Sequence, residues 1–454
     1  MRTNTAIKRG PIFTHEGGRA VRITSEQQLR RSVLSCLLFE REFYEDGQAI
    51  ADRIVATAKL VSPAKVAALA REARGQFNLR HVPLLLLSVL AETAQGSLVS
   101  DAIADVCQRA DEPGELLAIH AKRLGKPIKQ AMTHAMRKGI GRALSRFDEY
   151  QLGKYNRDAQ VKLRDVLFLS HAKPANDDQA DLWRRLALKR LATPDTWEVE
   201  LSAGVDKRET FERLIREGKL GYLALLRNLR SMMSAGCDPG LVRDAIVARK
   251  GAHRILPFRY VAAARACPQM EPAIDQALSK AISEMAPLSG RTVVLVDVSA
   301  SMDEKLSAKS DLTRMDAAAA LASVIHGDLR VFTFSAGGIM RWGDRQTKPV
   351  LVEVPPRRGM AGIDAVIKSQ EHGGTLLGKA IAEANAIPHD RLIVITDEQS
   401  SDPVPASMAE RAYMINVASA RNGVGYGPWV HIDGFSEAVL RFIVEHERDA
   451  RQAI

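Results

Sequence analysis

Apolar residues recur at three-and-four spacing in one segment after another between Ser25 and Met285, the period of helices that turn a single face inward. The spacing predicts helices over residues 30–40, 47–61, 62–72, 82–95, 98–109, 112–124, 126–147, 156–169, 179–191, 196–203, 207–217, 221–235, 239–248, 257–267 and 271–284. Short connections carrying Gly, Pro, Ser or Asp separate them, and alternating β patterns are almost absent. Consecutive short helices of this kind predict an α-solenoid of stacked helical pairs with degenerate repeats. A compact multi-helix globule is the competing architecture.

The period changes at Pro287-Leu-Ser-Gly290. Beyond it, apolar strands over 292–298, 329–335, 391–396, 413–418 and 429–432 alternate with helices over 312–326, 375–386, 403–411 and 436–444. That order predicts a doubly wound α/β domain with a mostly parallel sheet. The expected division is an all-α module over 1–288 and an α/β domain over 289–454. In such sheets ligands sit at the carboxyl ends of strands.

Three motifs fall on those ends. Asp297-Val-Ser299-Ala-Ser301 closes the first strand, Gly373-Gly374-Thr375 opens a helix, and Thr396-Asp397-Glu398 closes another strand. Taken singly, each residue has a plainer use as a helix cap or turn residue. In this order and on these elements, Asp297, Ser299, Ser301, Thr375 and Asp397 form a hard-oxygen set suited to Mg²⁺ or Mn²⁺, with water or a partner's acidic group completing the coordination. No His or Cys ligand set stands beside them to activate water, so the expectation is capture rather than bond cleavage, in a protein that is not an enzyme.

Composition narrows the class. The chain has 454 residues, 46% apolar and 26% charged, as ordinary globular domains do. No run approaches the ~20 apolar residues of a membrane span, and the first residues lack the pattern of a secretory signal. Cys36, Cys107, Cys237 and Cys267 are far apart, which predicts reduced thiols in a cytoplasmic protein. Charge is uneven: of 64 Lys+Arg and 54 Asp+Glu, residues 291–454 hold 18 and 21, which leaves 46 and 33 in residues 1–290. The whole basic excess therefore lies in the helical part, where it suggests a polyanionic partner or simply a basic solvated surface.

One stretch concentrates that charge. His134, Lys138, Arg142 and Arg146 recur every four residues, with Lys129 and Arg137 flanking, while Met136, Ile140, Ala143 and Phe147 form the opposite stripe. Such a face can follow a phosphate backbone, although solvated basic faces are common. Aromatics make up only 5% of the chain, so the pattern favours shape and backbone recognition over base stacking.

Two resemblances carry these readings further. The five-residue oxygen pattern matches the metal-ion-dependent adhesion site of von Willebrand factor A domains. Lys154-Tyr155-Asn156-Arg157, followed by Leu163-Arg-Asp165-Val-Leu167-Phe-Leu169-Ser170-His171-Ala-Lys173-Pro174, resembles the signature of the TROVE module in the Ro autoantigen family. Leu223-Ala-Leu225-Leu-Arg227-Asn228-Leu229-Arg-Ser-Met232 and Arg254-Ile-Leu-Pro257-Phe258 are similar as well. The resemblance runs over residues 27–454, helical module first and A domain second. It implies a ring of HEAT-like helical repeats closed by the A domain, acting in a ribonucleoprotein. It also implies binding of small structured RNA of the Y type on the outer surface and of single-stranded ends of misfolded non-coding RNA in a central hole, alongside exoribonucleases. By position, Lys154 and His171 match family residues that contact Y-type RNA, with Lys173 adding attraction for phosphate. A family arginine has no register match: Asp158 stands in its place, with Arg157 one residue earlier. The other functional class that fits is a metal-dependent adaptor, whose A domain captures an acidic residue of a protein partner while the helices serve as scaffold.

Overall fold

The computed structural model describes residues 12–14, 17, 19–20, 23–34, 47–156, 159–255, 257–284, 287–305, 312–337, 348–355, 357, 359–418, 423–425, 427–434, 439–440, 443–444 and 446–447. A two-stranded antiparallel pair, β1 (Ile12–Phe13) and β2 (Arg19–Ala20), precedes the helices. These are α1 (Ser25–Leu34), α2 (Gly47–Ala58), α3 (Pro63–Gly75), α4 (His81–Thr93), α5 (Ser97–Val106), α6 (Glu112–Leu124), α7 (Ile128–Ala131), α8 (His134–Leu144), α9 (Glu149–Tyr155), α10 (Leu163–Ser170), α11 (Asp177–Ala187), α12 (Trp197–Ser202), α13 (Lys207–Arg216), α14 (Tyr222–Ser234), α15 (Pro239–Ala248), α16 (Pro257–Ala266) and α17 (Glu271–Ser283).

Along both ends of the array helices touch their next-but-one neighbours: α1 on α3, α2 on α4, α3 on α5, α4 on α6, α13 on α15, α14 on α16 and α15 on α17, while between them α5 packs on α8 and α8 on α10. That is the contact pattern of stacked hairpins, in which every pair buries its apolar stripe against the pair before and after. One continuous core runs from Leu29 in α1 to Leu186 in α11. A second begins at Phe211 in α13 and continues without interruption into the α/β part.

The expected helix over 126–147 is two. Its first piece is α7, and the chain leaves helical geometry at Met132 and Thr133 before α8 begins. The cause is local. The buried His120 ring reaches the Ala131 carbonyl at 3.2 Å, and the Thr133 hydroxyl accepts from Met136 N at 3.2 Å, so it caps a new helix rather than continuing the old one. The expected helix over 403–411 is absent: residues 403–410 form a loop, and Arg411 opens a strand. Pro403 and Pro405 supply no N–H for a helix, and Asp402 instead accepts from the amides of Gly378 and Lys379 in the first turn of the earlier helix over Leu377–Asn385.

The α/β part holds β3 (Leu288–Asp297), α18 (Arg314–Val324), β4 (Gly327–Phe334), β5 (Leu351–Val354), α19 (Gly359–Ile367), α20 (Leu377–Asn385), β6 (Arg391–Thr396), β7 (Arg411–Asn416) and β8 (Val430–Asp433). Its six strands lie in the order β5-β4-β3-β6-β7-β8. All neighbours are parallel except β4 and β5. Val293–Val296 of β3 and Leu392–Ile395 of β6 are uninterrupted apolar runs because both sheet faces are covered there. Val294, Val296, Ile393 and Ile415 share the core of the last helices, whereas Val293, Leu295, Val394 and Met414 pack with α20. The strand β5 and helix α19 have no counterpart in the sequence-based expectation.

The first described segments meet the α/β part and close the helical array into a ring. The Thr14 hydroxyl donates to the Ser400 carbonyl at 2.6 Å, and α1 lies against β8. At this seam the fully buried Arg31 of α1 donates to Glu398 Oε2 at 2.7 Å. Glu398 also pairs with His431, which lies 3.6 Å from Asp433. Glu398 is held in left-handed backbone geometry, at φ 60°. A Cβ on Gly423 or Gly425 would collide with its carboxylate, so both positions need glycine.

Candidate metal centre and nucleic-acid interface

The parallel register sets Val296 beside Ile395, so Asp297 and Thr396 leave the sheet side by side. The Thr396 hydroxyl donates to Asp297 Oδ2 at 2.6 Å, and Ser299 N donates to Asp297 Oδ1 at 2.9 Å. The loops are stitched together by backbone bonds. Ala300 N reaches the Gly373 carbonyl at 2.8 Å, and Ser401 N reaches the Thr375 carbonyl at 3.0 Å. Ser299 Oγ and Ser301 Oγ lie 3.2 Å apart. The structure thus brings Asp297, Ser299, Ser301, Thr375 and Asp397 to one place, all buried.

The electrostatics of that place suit a cation. Burial pushes the Asp297 carboxyl up, and the neighbouring Asp397 charge pushes it further. Asp397 is likewise raised by burial, against opposition from Ser301 and from the buried Arg314 guanidinium. Asp397 Oδ2 has no hydrogen-bond partner, a costly state for a buried carboxylate oxygen. Two crowded carboxylates, one orphaned oxygen and adjacent hydroxyls are a donor set that fits Mg²⁺ or Mn²⁺. Among the described residues no group of three or more His, Cys, Asp or Glu is clustered for a metal, so a cation here depends on the hydroxyls.

The basic residues divide into committed and free. Arg142 pairs with Asp101. Arg146 lies beyond the end of α8 and donates to the carbonyls of Ala104 and Cys107, tying α8 to α5. Arg137 is half-buried, and its Nε has no partner. Lys154 Nζ stands 5.8 Å from the centre of the Tyr150 ring, a cation–π contact that leaves its N–H groups open. Lys129, His134, Lys138, His171 and Lys173 are exposed. His171 ends α10 in left-handed geometry, at φ 52°, where a helix C-terminus favours a cation. Arg157 lies outside the described residues.

Several residues at these sites had no sequence signal. Arg314 comes from α18, and burial lowers its guanidinium while the Asp397 charge opposes that. His372, in the loop before Thr375, pairs with Asp303 at 2.9 Å and so ties together the loops that carry Thr375 and Ser301. Only the spacing of oxygen donors was readable, not the groups that brace them.

Comparison with known proteins agrees with this architecture. The sequence model of the TROVE domain matches residues 174–317. Telomerase protein component 1 of Mus musculus is 29% identical over 134 residues, 28% of this chain and 5% of that protein. Its Rattus norvegicus counterpart is 28% identical over a segment of the same length. The chain therefore spans about a twentieth of these curated relatives. Among solved structures, the Ro (RSR) protein of Deinococcus radiodurans superposes with a TM-score of 0.58 at 17% identity, over 91% of this chain and 97% of that one. A helical ring followed by a von Willebrand factor A-like domain is the fold the two share. By that domain match over residues 174–317 and that shared architecture, the chain resembles TROVE-domain proteins of the Ro type.

Proposed function

We propose that this protein binds non-coding RNA on its helical module without cleaving it. Small structured RNA of the Y type and single-stranded ends of misfolded RNA are its ligands, within a cytoplasmic ribonucleoprotein. The module over 1–288 does this work, and the domain over 289–454 completes the ring. The observation that carries the reading is the set of exposed, uncommitted basic side chains, Lys129, His134, Lys138, His171 and Lys173, on α7, α8 and the end of α10, just before the segment that matches the TROVE domain. Charges with no internal partner retain their full attraction for phosphate, and displacing counterions from RNA makes such binding steeply salt-dependent.

The second activity belongs to the A domain. Asp297, Ser299, Ser301, Thr375 and Asp397 hold one Mg²⁺ or Mn²⁺, which when bound offers a coordination position to an acidic group of a protein partner, such as an exoribonuclease. The orphaned Asp397 Oδ2 favours this reading. Binding of a structured hairpin RNA, measured across a salt series, tests the first activity. The wild type is expected to lose affinity steeply with salt, and Lys138→Glu combined with His171→Glu to weaken binding at low salt. Equal binding by the variant and the wild type would remove these residues from the interface.

A further inference from the structure

The break between α7 and α8 borders a cavity of about 670 Å³, closed on its other side by the turn between α4 and α5. Six polar side chains on its wall, Gln95, Ser97, Lys126, Gln130, His134 and Lys138, make no hydrogen bond or ion pair with any described residue. Other cations of the module are paired internally. Arg30 is paired with Glu72, Arg71 with Asp105, Arg80 with Asp111 and Arg185 with Glu149. The one carboxylate on the wall, Glu92, is already committed. It accepts from Lys59 at 2.6 Å and pairs with Arg123 at 2.5 Å, which together hold it below the usual range. The cavity thus presents two lysines and a histidine with no counter-charge of its own. Ser97 opens α5 and His134 opens α8, so the first-turn amides of two helices border the same hollow and add to its positive potential. Leu124 and Ala131 supply apolar wall.

We propose that this cavity binds the terminal nucleotide of an RNA chain through its phosphate monoester, with Lys126, Lys138 and His134 on the phosphate oxygens. The assignment rests on the RNA-binding reading above and specifies which part of the RNA is held. Its volume lies in the ~300–1,000 Å³ range of sites that enclose small molecules, the scale of one nucleotide. A phosphate monoester carries about −1.5 to −2 charges near pH 7, against one for an internal diester. The excess cationic charge of the wall selects the former.

The test compares one single-stranded RNA sequence in three forms, with a 5′-phosphate, with a 3′-phosphate and with hydroxyls at both ends, titrated into the full-length protein. Roughly tenfold tighter binding of one phosphorylated form is expected, the scale of one charge-assisted contact. Lys126→Ala is expected to erase that preference, and Lys126→Arg to keep it. Far-ultraviolet circular dichroism and thermal unfolding establish that both variants are folded. Equal affinity for all three forms overturns the terminal-phosphate site while leaving RNA binding intact. A preference that survives Lys126→Ala places the phosphate elsewhere and also overturns it. Failure of all three forms to bind overturns the RNA-binding reading and this site with it.

Discussion

The seam and the α8–α10 face use the same residue types to opposite ends. At the seam, Arg31, Glu398 and Asp433 are sealed from water and His431 is largely covered, each engaged by another. On the α8–α10 face, His134, Lys138, His171 and Lys173 stand in solvent. Burial converts a charge into a structural commitment, because once desolvated it must keep its partner. Exposure leaves the charge available to a ligand at little cost to the fold. The difference predicts which substitutions damage the ring and which damage binding.

The largest effect is expected at the seam. Arg31→Met leaves Glu398 buried with one fewer cation and should cost about 3–5 kcal/mol, the range for breaking a buried pair. Denaturant unfolding measures this, and a loss below about 1 kcal/mol would mean that the seam is not sealed in solution. Acid attacks the same contact. Burial alone would raise the Glu398 carboxyl, but the Arg31 and His431 charges outweigh it and hold it down to about 2, from an ordinary 4.5. A depressed carboxylate stabilises the fold above its unfolded value and ceases to do so as pH falls through its folded value. Seam stability should therefore drop between about pH 4.5 and 2, and Glu398→Gln should flatten that part of the pH–stability curve.

At the metal centre the expected effect is intermediate. A cation at a hundred times its Kd should add about 2.7 kcal/mol to stability. Asp397→Ala should abolish this increment while leaving RNA affinity within about twofold, as expected for sites on separate modules. A parallel fall in RNA affinity, with the fold intact, would show that the two activities are not separable. Smallest are the effects on the basic face. Lys138→Glu should reduce the slope of log affinity against log salt by about one, as for loss of one phosphate contact. Arg142→Ala should change stability by less than about 1 kcal/mol, because its pair with Asp101 is exposed. Arg142 should also contribute less to RNA binding than Lys138. Equal losses from the two would erase the distinction between committed and free cations.

Much of the fold was legible because it is written locally. The boundaries of α6 and α15 follow directly from three-and-four spacing, Pro near the helix start and a turn residue at the end. The DxSxS, GGT and TDE motifs were readable as a group because strand ends converge in a doubly wound sheet. What escaped depends on partners remote in sequence. The interruption at Met132 and Thr133 requires His120 to take the Ala131 carbonyl, which no property of residues 126–147 announces. The commitment of Arg146 to the end of α5 is equally invisible in its four-residue periodicity. Arg31 and Glu398 are 367 residues apart, and nothing in either neighbourhood marks it as half of a buried pair.

That separation has a kinetic consequence. The helical hairpins join near neighbours and can form as they are made, whereas the seam joins segments that bracket nearly the whole chain. Its closure requires β6 and β8 to be in place and carries the loop-closure entropy of the longest span in the molecule. Until then Arg31 and the inner side of α1 face water. Hydrogen-exchange labelling during refolding should find α1 among the last helices to gain protection, with the order reversed nowhere along the array between α3 and α6.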